Sequence, residues 1–204
     1  MELKLWLSFC LASFLLALMP GPDNIFVLTE SIAKGAKNGI LIALGLNAGV
    51  LVHTLAAATG ISLILKQSEL AFSVIQYAGA AYLLYLAYGA LMEKVTQFTG
   101  KESQIDGAFK LIRTGFVMNV LNPKVSLFFI AFLPQFVREE RGSVVWQMSI
   151  MGMSFMLIGF LTFSAFALLA HQLRKPLSNL KFLNGVKWAK VFVLVGLAVF
   201  LLIP

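Results

Sequence analysis

Charge and cysteine are both scarce in this chain of 204 residues, and each shortage narrows what the chain can be. Only 12% of residues are charged against 59% hydrophobic, and the mean hydropathy is +0.88, outside the range of soluble domains. One cysteine, Cys10, excludes an intrachain disulfide, a thiolate metal cluster and a dithiol redox pair, so it reads as a small apolar filler. No His-Glu-x-x-His zinc pair and no Gly-x-x-x-x-Gly-Lys-Ser/Thr phosphate loop occurs, which leaves zinc proteolysis and direct ATP hydrolysis unsupported. One embedded acid falls short of the two that an intramembrane aspartyl protease needs. The expectation is a non-enzyme with no cofactor and no metal site.

What is present is a set of apolar runs near 5–28, 39–65, 71–92, 112–137, 144–170 and 186–203. A membrane helix needs about 20 apolar residues, so six spans with short connections use nearly the whole chain as one transmembrane domain in the lipid bilayer. The first run is not a cleaved secretory signal, because Ala17 and Met19 do not make a small-x-small site and apolar residues resume after it. The net charge of +7 comes from bases in the connections, where topology and anionic headgroups explain it and nucleic acid does not. Eleven of the sixteen bases fall in the first, third and fifth connections and three in the second and fourth, which puts the odd connections in the cytoplasm and both termini outside. Glu30 reads as a charge at the inner mouth, and His171 as part of a basic fifth connection.

Two interruptions stand out. Residues 19–24 read Met-Pro-Gly-Pro-Asp-Asn inside the first apolar run, where Pro20, Gly21 and Pro22 must break a helix and free carbonyls that lipid cannot satisfy. Asp23 adds a charge costing about 2.5–3.5 kcal/mol at a bilayer centre, so the segment faces protein or a wet cavity unless it is only an interfacial kink. Residues 119–124 read Asn-Val-Leu-Asn-Pro-Lys in the fourth run, with Pro123 and Lys124 embedded. As helix, 5–19 rises about 21 Å and 111–121 about 15 Å, so both breaks approach the middle of a core about 30 Å thick. The first and fourth spans each begin a three-span half, about 1–95 and 105–204. Three being odd, the halves are inverted repeats with broken helices 1 and 4, an architecture of secondary transporters that hold substrate where the breaks meet.

The second run places Gly45, Gly49, His53, Ala56 and Gly60 on one stripe, with Asn47 and Thr54 opposite. Small residues allow close helix approach, and polarity on both sides implies a span surrounded by protein. The stripe serves a homodimer as readily as the fold, and His53 reads either as an interhelical hydrogen bond or as a proton or substrate contact. The third run mixes small residues with Tyr77, Tyr82, Tyr85 and Tyr88, for packing and interface anchoring with one tyrosine at a cavity. Hydroxyls of the fifth run, Ser149, Ser154, Thr162 and Ser164, bond back to their own helix.

The embedded polar set is therefore Asp23, Asn24, Asn47, His53, Asn119, Asn122 and Lys124. An acid and a base brought together suit a small zwitterion, with Asp23 on its ammonium and Lys124, beside a helix N-terminus, on its carboxylate. The competing reading is that Asp23 and Lys124 pair with each other and hold the halves together.

The same residues carry a family resemblance. Pro-Gly-Pro-Asp at 20–23, Gly-Leu-x-x-Gly-x-x-x-His at 45–53, Ala-Gly-Ala-Ala-Tyr-Leu at 78–83, and Gly-Phe-x-x-Asn-x-x-Asn-Pro-Lys at 115–124 with Phe-Leu-Pro-Gln-Phe at 132–136 resemble the LysE/RhtB superfamily along almost the whole chain. The resemblance implies a bacterial inner-membrane exporter of an amino acid of the homoserine, threonine, leucine or lysine class, driven by the proton gradient. It extends to Pro20, Gly21, Pro22, Asp23, His53, Asn119, Asn122, Pro123 and Lys124 as motif positions. The alternatives from the residues themselves are a passive channel or ion-handling protein, and a structural subunit of a membrane complex.

Overall fold

The computed structural model describes residues 2–61, 69–92, 107–177 and 179–202, and among these the chain is helical without a strand. Helix α1 (Leu3–Leu18) is followed after the break by α2 (Pro22–Lys34), and α3 (Ala36–Ala56) continues into a wide turn at Ala57–Ile61. Next come α4 (Glu69–Met92), α5 (Ala108–Val120) and the short α6 (Pro123–Leu127), which runs on through a π turn at Phe128–Phe132 and a 3₁₀ turn at Leu133–Phe136. The two long helices α7 (Val144–Leu177) and α8 (Leu180–Leu202) complete the fold. Gly35 joins α2 to α3 alone, at φ 92°, a left-handed conformation that side chains rarely adopt.

Among the described residues α3, α7 and α8 are each long and apolar enough to cross a membrane. Counting each bent pair as one span, with α1 and α2 at 57° and α5 and α6 at 50°, raises the number to five. Helix α4 is a further apolar helix, and its stretch Tyr77–Met92 is shorter. The solvent pattern is that of a membrane protein. Leu3, Leu7, Leu11 and Leu18 on α1, and Met153, Leu157, Leu161 and Leu168 on α7, form exposed apolar stripes, while Asp23, Asn24, Asn119 and Asn122 are buried.

Helix ends differ from the apolar limits read in the sequence. The expected basic fifth connection is almost all helix, because α7 runs through Arg174 to Leu177 and α8 resumes at Leu180, and His171 lies within α7. Hydropathy marks where a helix leaves lipid. Lys and Arg are good helix formers, so the helix continues past that point. The expected third connection lies mostly outside the described residues, and α5 starts at Ala108, ahead of the apolar run.

Helix α3 is the axis of the bundle, packed against α5 on one side and α7 on the other, with α2 beside it. Glycine makes the first contact possible. A Cβ at Gly45 would strike the Ile112 carbonyl, one at Gly115 would strike the Ile42 carbonyl, and one at Gly49 would lie 2.7 Å from the Asn119 Cβ. Gly45 and Gly49 are thus covered inside the chain by α5, so of the two uses open to the stripe these glycines serve the fold. A Cβ at Gly60, the stripe's far end, meets nothing within 4 Å. On the other side Gly152 of α7 lies against Thr54. Helix α1 packs on α7, fastened by Trp6 Nε1, which donates to Ser154 Oγ at 3.0 Å.

Helices α4 and α8 pack on each other as a pair beside this core. An aromatic cluster binds the pair to it. Phe128 stacks on Phe132 at 4.8 Å, Phe136 stacks on Phe200 of α8 at 5.6 Å, and Phe9 of α1 meets Phe136 edge-on at 5.5 Å.

The α3–α5 contact predicts an asymmetric glycine series. Gly45→Ala overpacks backbone against backbone and is expected to cost about 1–3 kcal/mol. Gly196→Ala on α8, where a Cβ meets nothing within 4 Å, is expected to be neutral or stabilising. Unfolding of the two variants in detergent checks this, and equal melting would remove the close contact.

Candidate functional site

The site is built where helix hydrogen bonding fails. In α1 the carbonyl of Leu16 should receive the N–H of residue 20, but Pro20 has none, and residues 19–21 leave the helix in extended conformations. The carbonyls left over are taken by side chains. Asn24 Nδ2 donates to the Ala17 carbonyl at 2.7 Å, and Lys124 Nζ donates to those of Leu16 and Met19 at 3.3 and 3.4 Å. Proline at position 123 does the same to Asn119, whose carbonyl instead meets His53 Nε2 at 3.1 Å and the N–H of Asn122 at 2.9 Å. A carbonyl has no proton to give, so Nε2 of His53 is the donor and carries the hydrogen.

The two half-helices then restart alike. Pro22 is the first residue of α2 and Pro123 the first of α6, each suited to a position whose N–H has no helical acceptor. Asp23 and Lys124 are the second residues, so the acid and the base occupy the same helical position. Asn122 connects the two starts. Its Oδ1 caps α6 by accepting from the Lys124 N–H at 3.0 Å, and its Nδ2 donates to Asp23 Oδ2 at 2.7 Å.

Two spaces adjoin this junction, and Lys124 lines both. One is a small cavity of about 20 Å³, lined also by Asp23, Asn47, Asn119, Leu16, Val50 and Phe155, with room for one water molecule. Asn47 Nδ2 is held by the Ala43 carbonyl at 3.1 Å, and the Oδ1 atoms of Asn47 and Asn119 are buried without a protein partner. The cavity therefore brings an acid, a base and two amide residues together. The other space is a crevice of about 310 Å³ between the breaks and the α4–α8 pair, lined by 19–22, Tyr85, Leu86, Gly89, Ala90, Asn122, Pro123 and Leu194.

Each residue expected at the site from sequence is thus near the breaks, though in unequal roles. Asn24 and His53 close carbonyls, Asn122 bridges the starts of α2 and α6, and Asp23, Asn47, Asn119 and Lys124 line the cavity. Glu30 lies apart, paired with Lys34 at 2.9 Å, one turn further along α2. Ser149 and Ser154 bond back to Val145 and Ile150, as expected of hydroxyls in a span, whereas Ser164 Oγ is buried without a protein partner, which corrects the expectation for that residue. Sequence reasoning passed over Gly89, Ala90 and Leu194, whose composition signals only packing, and Gln147. The amide of Gln147 ties the Arg138 and Gly142 carbonyls at 2.8 and 3.1 Å and shapes the turn before α7.

A polar centre between discontinuous helices of a membrane bundle is the kind of place where secondary transporters hold their cargo. Residues 14–204 match the LysE type translocator family, and the chain belongs to that family of transporters. It is 29% identical over 205 residues to the homoserine/homoserine lactone efflux proteins of Salmonella typhimurium and Salmonella typhi, covering 96% of each chain. It is 32% identical over 133 residues to the leucine efflux protein of Klebsiella pneumoniae, a match that covers 65% of this chain and 63% of that protein's length. No solved structure matches.

The His53 contact yields a rescue test. His53→Phe leaves the Asn119 carbonyl with the Asn122 N–H alone and is expected to cost about 0.5–1.5 kcal/mol, whereas His53→Gln keeps an amide donor and recovers most of it. Thermal unfolding in detergent measures both. Equal loss in the two variants would show that His53 does not act by closing that carbonyl.

Proposed function

We propose that this protein is a secondary exporter that moves a small amino acid out of the cytoplasm by alternating access of two inverted three-helix halves, with protons as the counter-ion. The observation that carries this reading is the junction itself. An acid and a base stand at the second position of two half-helices, one from each half, and line one cavity inside the bundle, with Asn122 bonded to the acid. The relatives named as amino-acid efflux proteins support the direction of transport and the cargo class.

The packing supports the six-span inverted arrangement. Exchanging the halves maps the α1–α2 span onto α5–α6, α3 onto α7 and α4 onto α8. Under that exchange the α3–α7 and α4–α8 contacts map onto themselves, and α1 on α7 maps onto α5 on α3, all of which are observed. Basic residues concentrated in the odd connections support cytoplasmic loops there and both termini on the outer face of a bacterial inner membrane.

The chemistry follows from what each charged group now holds. Lys124 gives its ammonium to two neutral carbonyls at 3.3 and 3.4 Å, longer than the 2.7–2.9 Å typical of a bond to a carboxylate. A substrate carboxylate is a better acceptor, and the substrate ammonium replaces the donor those carbonyls lose while facing Asp23. A zwitterion satisfies both ends of the exchange, which a lone amine or acid does not. Without substrate, a proton on Asp23 replaces the ammonium charge, giving the counter-ion its place in the cycle.

Purified protein in vesicles tests the reading, which expects saturable amino-acid flux accelerated by amino acid on the far side; flux linear in concentration sinks it in favour of a passive channel. Asp23→Asn is expected to abolish stimulation by a pH gradient while the protein still inserts, and unchanged coupling would remove Asp23 from that role. Lys124→Ala is expected to weaken amino acids by about 1.5–3 kcal/mol, roughly ten- to a hundredfold, and their decarboxylated amines much less. Equal loss for both would show that Lys124 does not read the carboxylate.

A further inference from the structure

We infer that the crevice between the helix breaks and the α4–α8 pair is the subsite for the substrate's side chain, and that it takes an uncharged chain and rejects a basic one. The inference rests on the transport reading above. Of the two spaces that meet at Lys124, the cavity of about 20 Å³ admits no more than a polar head group. The crevice, about 310 Å³, is roughly twice the volume of a cavity that accepts benzene, which is about 150 Å³. Substrate atoms beyond the ammonium and carboxylate therefore have one place to go.

The lining of that place selects by charge. Lys124 is the one charged residue among the described residues that line the crevice, because Asp23 faces the small cavity instead. A zwitterion with its carboxylate on Lys124 and its ammonium towards Asp23 spends the acid of the junction on its own backbone. A lysine side chain would then carry a second ammonium into a wall of Leu86, Ala90 and Leu194, beside the Lys124 ammonium and without a lining acid. An aliphatic chain meets that wall without penalty, and the Tyr85 ring gives it an aromatic face.

Size is set at residue 89. Gly89 is part of the lining, and a Cβ there would meet nothing within 4 Å, so its missing side chain leaves open volume. The same openness makes Gly89 a usable probe, since a larger residue fits without displacing neighbours at its Cβ.

The test is counterflow of labelled alanine, leucine and lysine through the full-length protein in vesicles of phosphatidylethanolamine and phosphatidylglycerol. The wild-type chain is expected to carry alanine and leucine at least about tenfold faster than lysine, and Gly89→Leu to slow leucine about tenfold and alanine less than about threefold. Gly89→Ala, a smaller filling, is expected to fall between. Elution of each variant as a sharp peak at the wild-type position separates a filled subsite from a misfolded chain. Lysine carried at the rate of leucine overturns the charge selection. Equal slowing of alanine and leucine, or no change in either, overturns the subsite, the second result meaning that a lipid acyl chain or nothing occupies the crevice. A wild-type protein that moves none of the three overturns the transport reading, and the subsite falls with it.

Discussion

A backbone carbonyl inside a bilayer has no water to fall back on, and the centre of this protein follows from that constraint. Each embedded proline removes the donor for the carbonyl four residues before it. Pro20 strips Leu16 and Pro123 strips Asn119. Side chains from other segments take part in the replacement: Lys124 of α6 serves Leu16, and His53 of α3 serves Asn119 together with the Asn122 N–H. Neither break is complete without residues from another span.

Placing opposite charges at equivalent helix positions looks paradoxical, because a helix N-terminus favours anions. Asp23 benefits directly, at the start of α2 with an Asn122 amide on its carboxylate. Lys124 at the start of α6 does not, and its long stem solves the problem by carrying the ammonium to the carbonyl end of α1. That end is the negative pole of a helix, so the base is matched by a different helix from the one that bears it. Breaking both spans supplies two N-termini and one exposed C-terminus within reach of each other, which an unbroken pair of helices would not.

Much of this was legible in the residues, and the limits have physical causes. Prolines and an acid inside apolar runs announce broken helices, and the second break at Asn122, Pro123 and Lys124 marks itself the same way. The glycines at 45 and 49 announce a close helix contact, but a stripe carries no information on its partner. That partner is α5, with Ile112 and Asn119 against the glycines. His53 was readable as an interhelical donor, whereas its acceptor depends on the rotation and depth of α5, which no periodicity encodes. The ends of α7 and α8 were misplaced because hydropathy reports solvent and not backbone geometry. The crevice was invisible because Gly89, Ala90 and Leu194 are ordinary packing residues until two helices leave a gap beside them.

The bonds at the junction differ in how readily they exchange. Asn24 to Ala17 and Asn122 to Asp23 are both 2.7 Å and buried, so they hold the restart of α2 and the contact between the halves. Lys124 to Leu16 and Met19 are the long ones, and Lys124 is only partly buried. A ligand that displaced the Lys124 ammonium would uncover carbonyls at the C-terminal end of α1. Those carbonyls again need a donor in a dry place. The need either draws in the ligand's own ammonium or shifts α1 relative to α6 until another donor is found. A new donor and a shifted helix are thus two answers to one unsatisfied hydrogen bond, which ties the state of the first break to the position of α6.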